Sequence, residues 1–170
     1  MITGYKAFNN NKTNRYGKTF EENKIYKTTG QLRFGVGGNG FHFCKNLEDT
    51  LRYFPAMEEE IIIAEIIAIG NIKEYNDEYY GFYNMYCTDQ IIINKFLTHK
   101  EIIENFINMS KYEENRICRF ISLFHLNQDE ILLFKDKFKD SKKIINCIEY
   151  YQENKKDVYN NEYKIHKLIK

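Results

Sequence analysis

The amino-acid sequence predicts an α+β protein. A mixed or antiparallel sheet with one short helix is expected over residues 1–97, and a helical subdomain over 98–170 packed on it, together one domain. Three observations carry this. The run 61–69 is apolar on both faces apart from Glu65, the pattern of a strand inside a sheet. From Thr98 onward the apolar residues recur at helical spacing, in Ile102, Ile103, Phe106 and Ile107 and again in Ile117, Phe120, Ile121 and Phe124. A chain of 170 residues holds material for one substantial core but is short for two.

Residues 2–8 read as a first strand, followed by the polar loop 9–14 and a turn-rich stretch to Gly30. The densest glycine segment, Gly35-Val36-Gly37-Gly38-Asn39-Gly40, has the wrong spacing for a dinucleotide turn and leads into a strand, so a tight hairpin turn is expected. The strand is Phe41-His42-Phe43-Cys44, with the phenylalanines on one face and His42 and Cys44 on the other. Asn46 begins a short helix, with Asp49 three residues on and Leu47, Leu51 and Phe54 at helical spacing, and Pro55 ends it. Strands follow at 61–69 and 90–97, separated by a tyrosine-rich stretch at 79–86. In the helical half, Thr98 with Glu101 forms a capping box, and Asn127 with Glu130 and Ser141 open later helices.

Composition narrows the function classes. Basic and acidic side chains number 25 and 24 and interleave, as in residues 111–116, so charge gives no indication of nucleic-acid binding. Cys44, Cys87, Cys118 and Cys147 are widely spaced, with no C-x-x-C and no nearby paired His, so no metal site is expected. The start of the chain has no secretory pattern, and its longest apolar run is too short for a bilayer. Reduced thiols in a cytoplasm, away from membranes, are the expectation. Aromatic residues reach 16% with no Trp, beside abundant Ile, Asn and Lys, which reads mainly as AT-rich codon usage. Each aromatic is therefore a weak marker of a site.

The candidate catalytic residues are His42, Glu65 and Tyr53, and the candidate ligand-binding residues are Lys6, Gly40, His42 and Cys44. His42 on a strand reads first as a half-buried hydrogen-bonding residue and second as an acid–base group. Cys44 points the same way, but strand neighbours two apart stand about 7 Å apart. Proton abstraction needs about 3 Å. Glu65 inside an apolar strand costs several kcal/mol unless paired. It reads equally as an ion-pair member, with Lys6 or Arg33, or as part of a site. The tyrosines at 79, 80, 83 and 86 read as core and surface filling rather than a stacking platform.

Two resemblances rest on these residues. Gly4-Tyr5-Lys6-Ala7-Phe8, Tyr16-Gly17-Lys18, Gly40-Phe41-His42-Phe43-Cys44, Tyr53, Ala64-Glu65-Ile66 and Thr88-Asp89-Gln90-Ile91-Ile92-Ile93 resemble an uncharacterised bacteriophage and prophage domain over about residues 4–106. Its G-F-H-x-C motif is the most specific part, and the family transfers no activity. The same region is more loosely similar to ADP-ribosyltransferases of the diphtheria-toxin and poly-ADP-ribose polymerase type, through residues 40–43, Tyr53, residues 65–70 and residues 86–91. That resemblance implies NAD as cofactor, with Lys6 where the family carries an Arg or His for the NAD ribose. Phe82 stands where the family has its catalytic Glu, which implies loss of most transition-state stabilisation.

Three functions follow as expectations. The first is a non-enzymatic protein-interaction module of a phage or mobile element, with inhibition of a host defence factor as its narrower form and no cofactor. The second is an ADP-ribosyltransferase-like NAD-binding enzyme or its catalytically degenerate relic. The third is a virion structural or morphogenesis component.

Overall fold

The alternating and continuous apolar runs of the first half form strands because each buries at least one face. A computed structural model describes residues 1–14, 16–34, 38–51, 61–77, 82–110, 113–124 and 126–153. Its elements are β1 (Ile2–Asn9), β2 (Ile25–Lys27), β3 (Phe41–Cys44), α1 (Leu47–Thr50), β4 (Ile61–Ala68), β5 (Ile72–Asp77), β6 (Phe82–Thr88), β7 (Gln90–Phe96), α2 (His99–Ile107), α3 (Glu114–Leu123), α4 (Gln128–Lys137) and α5 (Lys142–Glu153). The class is α+β, a sheet-forming half followed by helices. The chain divides into two compact units, Met1–Glu101 and Ile102–Lys170, a few residues beyond the boundary expected at 97 and 98.

In the first unit seven strands form one sheet in the order β2-β7-β4-β1-β3-β6-β5, and every pairing is antiparallel. The apolar run of β4 lies between β7 and β1, as an interior strand should. Pleating sends Phe8, Phe41, Phe43, Ala64, Ile66, Ala68, Tyr86, Ile91, Ile93 and Phe96 to one core. Phe20, from the loop between β1 and β2, closes on that core with its ring centroid 5.0 Å from that of Phe8. Both side chains are fully buried, and burial of a Phe stabilises by about 1.5–3 kcal/mol. The ammonium groups of Lys6, Lys12 and Lys18 sit over the rings of Phe8, Phe96 and the Phe20–Tyr26–Phe41 group, so lysine stems cover apolar edges, and Lys12 and Lys18 are exposed. β1 and β3 approach closely because position 4 lacks a Cβ, which would stand 2.5 Å from the Cys44 carbonyl oxygen.

Several expectations need correction. β5 and β6 form two strands where the sequence suggested only a tyrosine-rich stretch. Residues 35–37, the centre of the glycine-rich segment expected to form a tight hairpin turn, lie outside the described residues; the strands on either side, β2 and β3, pair with other strands and not with each other. Around it the loop is closed by the Arg33 N–H donating to the Asn39 carbonyl at 2.9 Å. Asn39 knits that loop together, its amide nitrogen donating to the carbonyls of Thr29 and Gln31. Asn46 precedes α1 but caps no backbone group; its amide donates to the Asp49 carboxylate at 3.1 Å. Phe54 and Pro55, expected to end that helix, lie outside the described residues.

The second unit is built on aromatic contacts. Phe106 and Phe120 stack with centroids 3.7 Å apart, and Phe134 stands 6.0 Å from Phe120. α4 opens on the expected capping box, Asn127 accepting from the Glu130 N–H and Glu130 accepting from the Asn127 N–H. Ser141 starts α5 by accepting the Ile144 N–H at 3.2 Å. The Thr98–Glu101 box is formed as well, at the end of the first unit, with the Glu101 N–H donating to the Thr98 hydroxyl at 3.2 Å.

Candidate functional site

Strand register decides which of the candidate residues meet. Tyr5 pairs with Cys44 on one side and Glu65 on the other, and Glu65 faces Lys95 on β7. His42, Cys44 and Glu65 therefore share one face of the sheet, and Lys6 belongs to the opposite, core-side face. The residue directly across from His42 is Cys87 on β6, so a Cys–His pair exists, with a partner different from Cys44. Sequence spacing gave no sign of it, because register between distant strands is set by the whole sheet.

The polar groups of this patch are engaged by neighbouring loops and strands. His42 is half-buried, and its Nε2 lies 3.0 Å from the Arg33 carbonyl oxygen. A carbonyl only accepts, so Nε2 carries the proton. Burial is the largest influence on this imidazole and holds its pKa below the ordinary 6.5; the Arg33 carbonyl opposes that, and the Lys6 ammonium adds to it. The Cys87 thiol lies 3.4 Å from the Asn39 carbonyl oxygen, and burial pushes its pKa up to about 11 against the pull of Lys6 and Lys73. Segment 32–34 roofs the patch: Lys73 donates to the Leu32 carbonyl at 3.3 Å, and the Phe34 ring lies 5.7 Å from that of His42 and 5.0 Å from that of Tyr75.

Cys44 is buried at the end of β3, and the Lys6 ammonium donates to the His42 carbonyl at 2.8 Å. Gly40 has φ of 118°, and a Cβ there would meet the Cys87 Sγ at 2.3 Å, so it brings the loop down onto Cys87. Glu65 is half-buried and accepts from the Asn94 amide at 3.2 Å. Asn94 is available because the ladder slips between Glu65 and Ile66, leaving an extra residue on β7. The ion-pair partners proposed from sequence were Lys6 and Arg33; the contacts described here come instead from β7. Tyr53 lies outside the described residues.

An activated Cys–His pair needs a thiol with lowered pKa beside an imidazole able to take its proton. Both shifts here run the other way, so near neutral pH the pair is a protonated thiol beside a neutral imidazole. Among the described residues no group of three or more His, Cys, Asp or Glu is placed to hold a metal ion. No helix of the described residues is long and apolar enough to cross a membrane.

Residues 2–105 match the model of a domain of unknown function, DUF7666. The chain belongs to that family. The match spans all seven strands, so the sheet with its His42–Cys87 pair is the DUF7666 part of the molecule, and most of the helical unit follows it. No curated protein and no solved structure matches the chain at a significant level.

Proposed function

We propose that this DUF7666 protein is a non-enzymatic protein-interaction module of a phage or mobile element, acting in the bacterial cytoplasm as an inhibitor of a host defence factor. The observation that carries the non-enzymatic part is the electrostatic state of the His42–Cys87 pair. Its thiol is pushed up and its imidazole held down, opposite to what nucleophilic catalysis requires. The phage setting rests on the G-F-H-F-C resemblance of residues 40–44. For a contact surface, α4 exposes two adjacent large apolar side chains, Leu132 at 56% and Leu133 at 48%, while Ile131 and Phe134 turn inward. Exposed apolar anchors of this kind supply interface cores.

The test is affinity capture from host lysate with the wild type and a Leu132→Lys, Leu133→Lys variant. A stoichiometric partner retained by the wild type and lost by the variant, with unchanged far-UV circular dichroism, supports the reading. A folded protein that retains no partner refutes it. NAD binding is a second reading, supported by the looser ADP-ribosyltransferase resemblance and by the exposed Lys12 and Lys18, whose ammonium groups suit an anionic ligand. Calorimetric heat with NAD, lost in Lys18→Ala, would favour it over the first.

A further inference from the structure

The helical unit holds a second thiol pair. Cys118 on α3 is buried and Cys147 on α5 is half-buried, 29 residues apart in the chain. The Cys147 Sγ lies 3.5 Å from the Cys118 carbonyl oxygen, and the Cys118 Sγ lies 4.0 Å from the Lys143 carbonyl, one helical turn before Cys147. Each sulfur thus rests against the backbone of the other's helix, and the two thiols lie close enough to perturb each other's ionisation. Cys44 and Cys87 are placed differently. Cys44 pairs with Met85 and Cys87 with His42, which puts the two cysteines on a ladder diagonal of about 7–8 Å, beyond disulfide reach.

We infer that Cys118 and Cys147 form an oxidation site, at which hydrogen peroxide converts the two thiols into a disulfide joining α3 to α5. The Cys118 thiolate attacks one peroxide oxygen; the O–O bond breaks, giving a sulfenic acid on Cys118 and hydroxide, which takes up the proton lost from the thiol. The Cys147 sulfur then attacks the Cys118 sulfur, the S–O bond breaks, and the hydroxyl leaves with the Cys147 proton as water. Two thiols and one peroxide become one disulfide and two waters, with sulfur oxidised and peroxide oxygen reduced. The order of attack follows from the contacts. The neighbouring Cys147 thiol favours the Cys118 thiolate against the cost of burial, and Cys147, its own pKa raised first by Cys118, keeps its proton until the second step. Cys118 is 6% exposed, which favours a small oxidant such as peroxide over a glutathione disulfide.

The experiment uses the full wild-type chain, treated with peroxide, alkylated in denaturant and digested with trypsin. The expected result is an intact mass lower by two hydrogens and a linked peptide pair containing Cys118 and Cys147. Cys44 and Cys87 should be alkylated, and dithiothreitol should reverse the mass change. In Cys147→Ser the sulfenic acid persists on Cys118 and is trapped by dimedone. A sulfinic acid on Cys118 of the wild type with Cys147 still free overturns the proposal, as does a link through Cys44 or Cys87, or no oxidation at all.

Discussion

At the scale of single residues, His42 is a half-buried imidazole held by the Arg33 carbonyl. Because burial holds its folded pKa below 6.5, the unfolded chain binds the proton more tightly than the folded one. The resulting stability is present above about pH 6.5 and is lost as pH falls through that value toward the folded pKa. Urea midpoints measured from about pH 7.5 down to about pH 5.5 should therefore fall more steeply for the wild type than for His42→Gln. Equal slopes would show that the imidazole is not buried as described. The residue types of this patch were legible in the sequence. Alternation alone placed His42 and Cys44 on one face, as β3 shows. The Cys87 partner was not, because it arises from pairing between strands more than forty positions apart, and neither was Asn94, which reaches Glu65 only through a slip in the ladder.

At the scale of elements, what was legible is what depends on residues three or four apart. The capping boxes at Thr98 and Asn127 use partners three positions on, and both are formed. Asn127→Ala removes the side-chain acceptor for the Glu130 N–H and should cost about 1 kcal/mol in urea unfolding. Asn127→Asp should keep most of that stability, which separates capping from packing. β5 was missed for the converse reason. Ile72, Lys73, Glu74 and Tyr75 offer no clean apolar alternation, and the strand exists because β6 beside it supplies a ladder. α1 was anticipated in place but not in its cap, since the Asn46 amide turns to the Asp49 side chain.

At the scale of the molecule, topology separates two kinds of contact. The sheet joins β2 to β7 and β1 to β4, pairings that close loops of about sixty residues, whereas the helical unit packs helices near in sequence. Loop closure of that length slows folding, and local helical contacts speed it. In pulse-labelled refolding, amide protection in α3 and α5 should therefore appear ahead of that in β1 and β4. Recovery in one shared phase would count against independent formation of the two units. The strand order itself was not legible. Nothing in residues 2–9 marks them as the middle strand of seven, a place they hold because partners from both directions of the chain converge on them.

The margins of that sheet carry a last consequence. One border is β2, only three residues long and flanked by exposed Lys24 and ending in exposed Lys27; the other is β5, which presents Lys73 and Glu74 to water. Brief or charged borders resist strand-on-strand polymerisation between molecules. A chain this rich in isoleucine and aromatics thus keeps the apolar run of β4 shut between β7 and β1, away from the borders where a second molecule could add a strand.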